Sequence, residues 1–114
     1  MSKLYNRYIE LKKKDNNKYY LFNSGLFYIF IDDDAIKISN ITRLKLTKLN
    51  DNICKCGFPK NCLNKYLNIF KRLNLNIEVV DIELLIDKIK NTKLDRITPI
   101  EAYSLLREIQ DYYE

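Results

Sequence analysis

The chain has 114 residues, 46% of them hydrophobic, which is enough for one compact domain with a core or for a small domain with an appendage. This composition excludes a disordered chain, and no stretch approaches the roughly 20 apolar residues that span a bilayer. The net charge of +5 is uneven, because residues 1–76 contain 15 Lys/Arg and 6 Asp/Glu whereas residues 77–114 contain 5 and 9. Two interpretations fit this asymmetry: a solvated surface, or a basic module that faces a polyanion followed by a tail that faces a different partner.

The first half of the chain predicts a helix, a hairpin and a second helix. Apolar and aromatic residues near helical spacing in residues 2–14 predict an amphipathic helix that ends at DNNK. The β-prone runs KYYLF and LFYIFI are separated by Asn23-Ser24-Gly25, which is turn chemistry and predicts a hairpin or tight bend. DDDAIKISN then predicts a short helix, because acids at a helix N-terminus suit the helix dipole.

The middle of the chain predicts two strands, a helix and a further strand. TRLKLTKL (42–49) alternates leucines with basic residues and predicts a half-buried strand with a basic outer face. ICKCGF predicts a short partner strand, and Pro59 is expected to open a helix that continues to about Leu73. NIEVV (76–80) predicts a short buried strand. The predicted buried stripe of the helix consists of Leu63, Tyr66, Leu67, Phe70 and Leu73.

The remainder of the chain predicts helices only. TPIE is a helix start signal, since Thr98 can cap the helix, Pro99 suits its first turn and Glu101 completes a capping box. Two short antiparallel helices bury little apolar surface by themselves, so we expect this part to dock on the first part or on another copy.

The predicted fold class is α/β. A small mixed β-sheet flanked by helices is expected over residues 1–81, followed by a C-terminal helical hairpin over residues 82–114.

Several kinds of chemistry are disfavoured by the residues present. The chain has no histidine, which excludes Ser-His and Cys-His catalysis, and its two glycines are isolated, so there is no phosphate-binding loop. We therefore expect a protein that is not an enzyme and needs no cofactor. The N-terminus is charged and lacks the apolar core of a signal peptide, so we expect a cytoplasmic protein without membrane contact.

Two clusters raise the question of a metal ion. Asp32-Asp33-Asp34 could supply oxygen ligands, but consecutive side chains diverge, so the start of a helix is the favoured interpretation. The three cysteines lack the fourth ligand of a structural zinc site, and buried free thiols are favoured instead. An odd set of cysteines also fits a reducing compartment. We predict no metal site. The cysteines are Cys54, Cys56 and Cys62.

Four segments occur in an order that matches a known domain. They are YNRYIELKKKDNNKYYLFNSGLFYIFIDDDA, LTK, CGFP and NKYLNIFKRLNLNIEVVD, and together they cover about residues 5–81. This series resembles the N-terminal mismatch-recognition domain of the MutS family of DNA mismatch repair proteins. In that domain a helix and a strand precede a segment similar to G-D-F-Y-E-x-F-x-x-D-A. L-T-K-R follows, then G-[IF]-P opening a Y-L-x-x-L helix, and a last strand.

The tail has a resemblance of its own. LLIDKIKNTKLDRITPIEAYSLLREIQDYY is similar to the extreme C-terminus of bacterial MutS, a helical unit associated with self-association. The connector, lever, clamp and ATPase domains between the two parts look absent, so the resemblance implies a first domain joined directly to a last one. It also implies a homo-oligomer, or docking onto full-length MutS, through residues 82–114.

The resemblance further implies a DNA-binding site. The wedge phenylalanine of the family's F-x-E motif falls on Phe27 and the glutamate on Ile29, while Leu26 stands in place of an acid. Stacking needs only a π-face, but isoleucine cannot hydrogen-bond a displaced base. The expected partner is therefore mismatched, bent, nicked or looped double-stranded DNA, bound with reduced mismatch discrimination. The residues expected to hold phosphates without reading sequence are Arg43, Lys45, Lys48, Lys55, Lys60, Lys71 and Arg72.

Two alternatives remain open on the residues alone. Phe27 shares the strand parity of Ile29 and Ile31, which behave like core residues, so a regular strand would bury it. The chain could also be a protein-interaction module that associates with itself or with full-length MutS and modulates mismatch repair without contacting DNA. The missing acid of the motif and the acidic tail favour this second function.

Overall fold

The computed structural model describes residues 3–81, 86, 89–91 and 96–113. The chain divides into two compact units, Met1–Val80 and Asp81–Glu114.

The first unit is a five-stranded mixed sheet with helices on both faces, which confirms the predicted fold class. The sheet order is β3-β4-β2-β1-β5, in which β5 is parallel to β1 and the other neighbours are antiparallel. A 3-10 turn, Lys60–Cys62, links β4 to α3. The elements are α1 (Lys3–Lys14), β1 (Tyr19–Ser24), β2 (Phe27–Ile31), α2 (Asp32–Thr42), β3 (Thr47–Lys48), β4 (Cys54–Pro59), α3 (Leu63–Arg72) and β5 (Ile77–Val80).

The sheet buries both of its faces, which explains the nearly continuous apolar run of β2. Alternate side chains of a strand point to opposite faces, so covering both faces requires apolar residues at successive positions. The α2/α3 face contains Leu21, Tyr28, Phe30, Ala35, Ile38, Cys56, Phe58 and Phe70. The α1 face contains Tyr8, Leu11, Tyr20, Phe22, Ile29, Ile31 and Ile53.

A tight turn joins β1 to β2, which confirms the predicted hairpin. Ser24 pairs with Phe27, so the turn consists of Gly25 and Leu26, one residue later than the sequence indicated. Gly25 has a φ of 60°, and glycine at the first central position of a two-residue loop is typical of a type II′ turn. The Lys60 N–H donates to the Leu26 carbonyl at 3.0 Å and ties the turn to the end of β4.

The strand predicted over residues 42–49 is largely wrong. Thr42 ends α2, and Arg43 takes a left-handed conformation (φ 67°) as its C-cap, donating its N–H to the Ser39 carbonyl at 3.1 Å. Only Thr47–Lys48 pairs with β4. The helix therefore ends at the first residue of this segment, where the Arg43 N–H satisfies one of its last carbonyls, and residues 43–46 form an irregular connection rather than a strand.

Helix α3 and strand β5 lie close to their predicted positions. Pro59 is the last residue of β4, and α3 begins at Leu63 after the 3-10 turn. Phe70 is fully buried, as predicted for the stripe, but Leu73 is 44% exposed because the helix ends at Arg72.

In the second unit, α4 spans Pro99–Tyr113. The Glu101 N–H donates to the Thr98 Oγ1 at 3.2 Å, and the Ala102 N–H donates to the Thr98 carbonyl at 3.0 Å. Thr98 therefore caps the helix, as its sequence predicts. Most of the other predicted helix of this unit lies outside the described residues.

The acids that begin α2 have a role beyond the helix start. The N-cap, Ile31, offers no side-chain cap. Asp34 is 1% exposed, and its carboxylate accepts the Tyr20 N–H at 3.0 Å, the Lys12 Nζ at 2.9 Å and the Tyr8 hydroxyl at 3.4 Å. This one carboxylate joins α1, β1 and α2.

We predict that Asp34→Asn lowers the free energy of unfolding by about 2–3 kcal/mol, because Lys12 then loses its buried anion. Urea denaturation at neutral pH measures this change. The matched control is Asp33→Asn at the exposed neighbouring position, which should change stability by about 0.5 kcal/mol or less. Equal effects of the two variants would contradict the joining role of Asp34.

Two buried groups make stability depend on pH in alkaline solution. Burial raises the pKa of the Cys56 thiol to about 12. Burial and the carboxylates of Glu78, Asp15 and Asp34 raise the pKa of the Tyr20 hydroxyl to about 12. In the unfolded chain these groups ionise near their ordinary values of ~8.5 and ~10. Above these values the unfolded state binds fewer protons than the folded state does. The stability present at neutral pH therefore falls as the pH rises from about 9 towards 12.

We therefore expect the free energy of unfolding to decline between pH 8 and pH 11, and to decline less steeply in Cys56→Ala. The Cys54→Ala variant, at a half-buried position, is the control and should follow the wild-type slope. Urea titrations at four pH values give the three slopes. Parallel slopes for Cys56→Ala and wild type would show that the buried thiol does not contribute.

Candidate nucleic-acid interface

Phe27 lies at the end of the sheet and is 47% exposed. Ile29 and Ile31 share its strand face but are 4% and 0% exposed. The reason is position, since Phe27 is the first residue of β2 and pairs with Ser24 and Pro59 at the margin of the sheet. The interpretation of Phe27 as a buried core residue is therefore wrong.

The hairpin tip, formed by Gly25, Leu26 and Phe27, presents two neighbouring apolar side chains. Leu26 is 82% exposed, beside the half-exposed ring of Phe27. The backbone of the tip is held by the type II′ turn and by the Lys60 N–H. Exposed adjacent apolar side chains on a fixed backbone are suited to contact an apolar surface, such as the faces of nucleic-acid bases.

A groove of about 290 Å³ lies beside Phe27. The strand register explains its composition, because Ile29 lies opposite Gly57, while Lys55 lies between Ile31 and Thr47. Residues directly opposite each other in antiparallel strands point to the same face, which here is the α1 face. We call this site the hairpin groove, and its lining residues are Ser24, Phe27, Ile29, Lys45, Thr47, Lys55, Cys56 and Gly57.

Gly57 allows β4 to approach β2 closely at the floor of the hairpin groove. A Cβ atom at this position would overlap the Tyr28 carbonyl oxygen and would lie 2.8 Å from Cγ2 of Ile29. Glycine is therefore required by close packing rather than by an unusual φ angle.

The hairpin groove is positively charged. Lys45 and Lys55 line it, and the described lining residues include no aspartate or glutamate. Within the part of the chain that the structure describes, neither lysine forms an ion pair. The groove thus combines an aromatic ring, two ammonium groups and the hydroxyls of Ser24 and Thr47, a set that can stack a base and bind a phosphate.

Three other residues that were predicted to bind phosphates, all of them before α3, do not line this groove. Lys48 lies opposite Cys54 and so projects from the α2/α3 face. Lys60 lies at the hairpin end of the sheet, with its Nζ 5.9 Å from the centre of the Tyr28 ring. Arg43 is the C-cap of α2, where its charge also suits the helix dipole.

Lys71 and Arg72 lie at the opposite end of the sheet from the hairpin tip. They belong to the last turn of α3, and the loop that follows meets the start of β1, where the Tyr19 N–H donates to the Asn76 carbonyl at 2.8 Å. The six residues of β1 place that point about 17 Å from the turn that joins β1 to β2. Lys71 lines a different cavity there, of about 460 Å³.

The structure therefore brings together four of the nine predicted site residues, namely Phe27, Ile29, Lys45 and Lys55. Sequence reasoning missed the other four lining residues, which are Ser24, Thr47, Cys56 and Gly57. Their common signal was proximity to segments already singled out, since Thr47 lies in LTK and Gly57 in CGFP.

The described residues contain neither a metal-ion cluster nor a membrane-spanning helix. No group of three or more His, Cys, Asp or Glu side chains there is arranged to hold a metal ion. All three cysteines are free thiols. Within the same ranges, no helix has the length and apolar character needed to traverse a bilayer.

Comparison with known proteins supports the family resemblance that the order of the four sequence segments indicated. The family model described as MutS domain I matches residues 2–96. The chain belongs to the MutS domain I family. This result confirms the resemblance of the first part of the chain, whereas the resemblance of residues 82–114 to the MutS C-terminus stays a prediction.

Curated relatives share the name "DNA mismatch repair protein MutS". The protein from Borreliella burgdorferi (strain ZS7) is 36% identical over 61 residues, which cover 54% of this chain and 7% of that protein. The Rickettsia akari protein is 32% identical over 84 residues, 70% of this chain and 10% of its own length. The Ehrlichia ruminantium protein is 33% identical over 75 residues, 66% of this chain and 9% of its own. The chain thus spans a tenth or less of these relatives.

Proposed function

We propose that this MutS domain I binds distorted double-stranded DNA, including mismatched and looped DNA, and carries out no catalysis. The observation that carries the proposal is the half-exposed ring of Phe27, fixed at the hairpin tip beside a groove lined by two lysines. Membership of the MutS domain I family and the names of the curated relatives support DNA as the partner.

Phe27 is the group proposed to contact bases. Inserting an apolar side chain between base pairs costs a few kcal/mol of unstacking, which is least where stacking is already weakened. A preference for distorted over regular duplex follows from this difference alone. Leu26, next to it and more exposed, adds apolar surface to the same contact.

Ile29 is proposed to reduce discrimination between one distortion and another. It is buried at the floor of the hairpin groove and has no polar side-chain atom, so it cannot hydrogen-bond a displaced base. Recognition then depends on the shape and deformability of the DNA, which is less selective than hydrogen bonding to base edges.

Phosphate contacts are proposed for Lys45 and Lys55 of the hairpin groove and for Lys60 at the hairpin end of the sheet. Contacts to phosphates position a protein on DNA without reading sequence, and each adds about −0.9 to the slope of log affinity against log salt. Lys71 and Arg72, at the far end of the sheet, could contact only a more distant part of the same duplex.

A second candidate function is a protein-interaction module that binds itself or full-length MutS. The observation that favours it is an exposed apolar stripe on α4. Its members follow one another at three-residue spacing and are 80%, 62% and 61% exposed: Ile100, Tyr103 and Leu106. Such a stripe is typical of a helix face that packs on a partner.

Fluorescence anisotropy with homoduplex, mismatched and branched DNA at two salt concentrations tests the first function. We expect tighter binding to the distorted DNAs, and a loss of that preference of roughly tenfold in Phe27→Ala, since base stacking on an aromatic is worth ~1–3 kcal/mol. Leu73→Ala is the matched control, because Leu73 is 44% exposed but lies far from the hairpin tip. It should bind like wild type.

Two results would contradict the proposal. Absence of binding to every DNA at low salt would remove DNA as the partner and favour the interaction module. Equal affinities of Phe27→Ala and wild type would reduce the interaction to phosphate contacts.

A further inference from the structure

The hairpin groove offers more polar and charged groups than contact with the backbone of a regular duplex requires. It combines two lysines and two hydroxyl side chains with one aromatic ring, with Lys55 and Thr47 at the level of Ile31, four residues along β2 from Phe27. Among the described residues, no carboxylate lines it. Its volume of about 290 Å³ is near the lower limit of ~300 Å³ for small-molecule sites, so it suits one nucleotide unit rather than a duplex. A nucleotide bound in this groove is expected to carry a charge that matches two ammonium groups.

We propose that the hairpin groove binds the terminal phosphate of a broken DNA strand, with the terminal base stacked on Phe27. This inference rests on the proposed function and specifies the kind of distorted DNA. A phosphate within a strand is a diester with a single negative charge. A terminal phosphate is a monoester whose second pKa is about 6, so it carries about −1.5 to −2 charges at pH 7. Lys45 and Lys55 match that charge.

Ile29 makes the groove permissive for this anion. The family's motif glutamate falls on this position, and a carboxylate at the groove floor would repel a phosphate held a few ångströms away. Isoleucine removes that repulsion and leaves Lys45 and Lys55 as the charged groups of the lining. The side chain that cannot hydrogen-bond a base therefore also leaves a site whose described polar side chains are cations, hydroxyls and a thiol.

A strand break also makes the stacking contact accessible. The base at a break has one stacking neighbour in its own strand, so it leaves the helix at lower cost than an internal base. Its backbone is free on one side, which lets the terminal phosphate enter the groove while the duplex remains outside. Phe27 at one side of the groove is placed to receive that base.

Three nicked duplexes of identical sequence test the inference, with a 5′-phosphate, a 3′-phosphate or hydroxyls on both sides of the nick. At pH 7.5 we expect one phosphorylated form to bind about five- to tenfold more tightly than the hydroxyl form. Either polarity supports the inference and identifies the strand end that is bound. The preference should shrink at pH 5.5, because the monoester then loses its second charge while lysines remain protonated.

A matched pair of double variants locates the effect. Lys45→Ala/Lys55→Ala should abolish the preference for the phosphate. Lys48→Ala/Lys71→Ala removes the same charge outside the groove, so it should weaken binding to all three duplexes and retain the preference. Urea denaturation confirms that both variants are folded, as expected for substitutions of exposed or half-buried lysines.

The outcomes separate this inference from the proposed function. Equal affinities for the three nicked duplexes would overturn the terminal-phosphate site, while a Phe27-dependent preference for mismatched DNA would leave the proposed function standing. Equal loss of the phosphate preference in both double variants would assign it to net charge and would also overturn the site. A chain that binds none of these DNAs would contradict the proposed function itself.

Discussion

The buried carboxylate of Asp34 determines how the helices and the sheet of the first unit fit together. It lies at the start of α2, and it accepts hydrogen bonds from Lys12 and Tyr8 of α1 and from the backbone of Tyr20 in β1. Lys12 also donates to the Lys18 carbonyl at 2.8 Å, which fastens the connection between α1 and β1. Burial, followed by the charge of Asp34, raises the pKa of the Tyr8 hydroxyl, so that Tyr8 remains a donor even in alkaline solution. Helix α1 in turn supplies Tyr8 and Leu11 to the cluster in which Ile29 and Ile31 of β2 are buried.

The sequence predicted the elements better than it predicted what connects them. Periodicity identified α1, the hairpin, α3 and β5, because each has a local apolar pattern. TRLKLTKL was misjudged because a left-handed C-cap at Arg43, which no alternation reveals, ends α2 inside the segment. The joining role of Asp34 was not visible, since its partners lie 14 to 26 residues away. The exposure of Phe27 was also not visible, because strand parity assigned it to the core and only its place at the sheet margin exposes it. The hairpin groove depends on the register between β2, β4 and β3, which the pattern of residues in the sequence does not reveal.

Two features of the hairpin tip and the hairpin groove shape the chemistry of this site. The hairpin tip presents the half-exposed ring of Phe27, and the register places Ile29, the residue predicted to stand at the position of the motif acid, in the core beneath the groove. Lys45 and Lys55 then give the groove a positive charge, and none of its described lining residues is an acid. The expected consequence is a shift from recognition by hydrogen bonds to a base towards recognition by stacking and by phosphate charge. Both depend on the same fixed backbone, since α1 covers Ile29 but leaves Phe27 at the margin.

The most direct test of base contact by Phe27 measures unstacking within the bound DNA. A fluorescent adenine analogue, 2-aminopurine, is placed next to a mismatch or nick, and its emission is recorded at protein concentrations at which anisotropy shows the DNA to be saturated. Insertion of Phe27 predicts increased emission with wild type and with Leu73→Ala, and little increase with Phe27→Ala at equal saturation. An unchanged emission on saturation with wild type, or an equal increase with Phe27→Ala, would contradict the wedge role of Phe27.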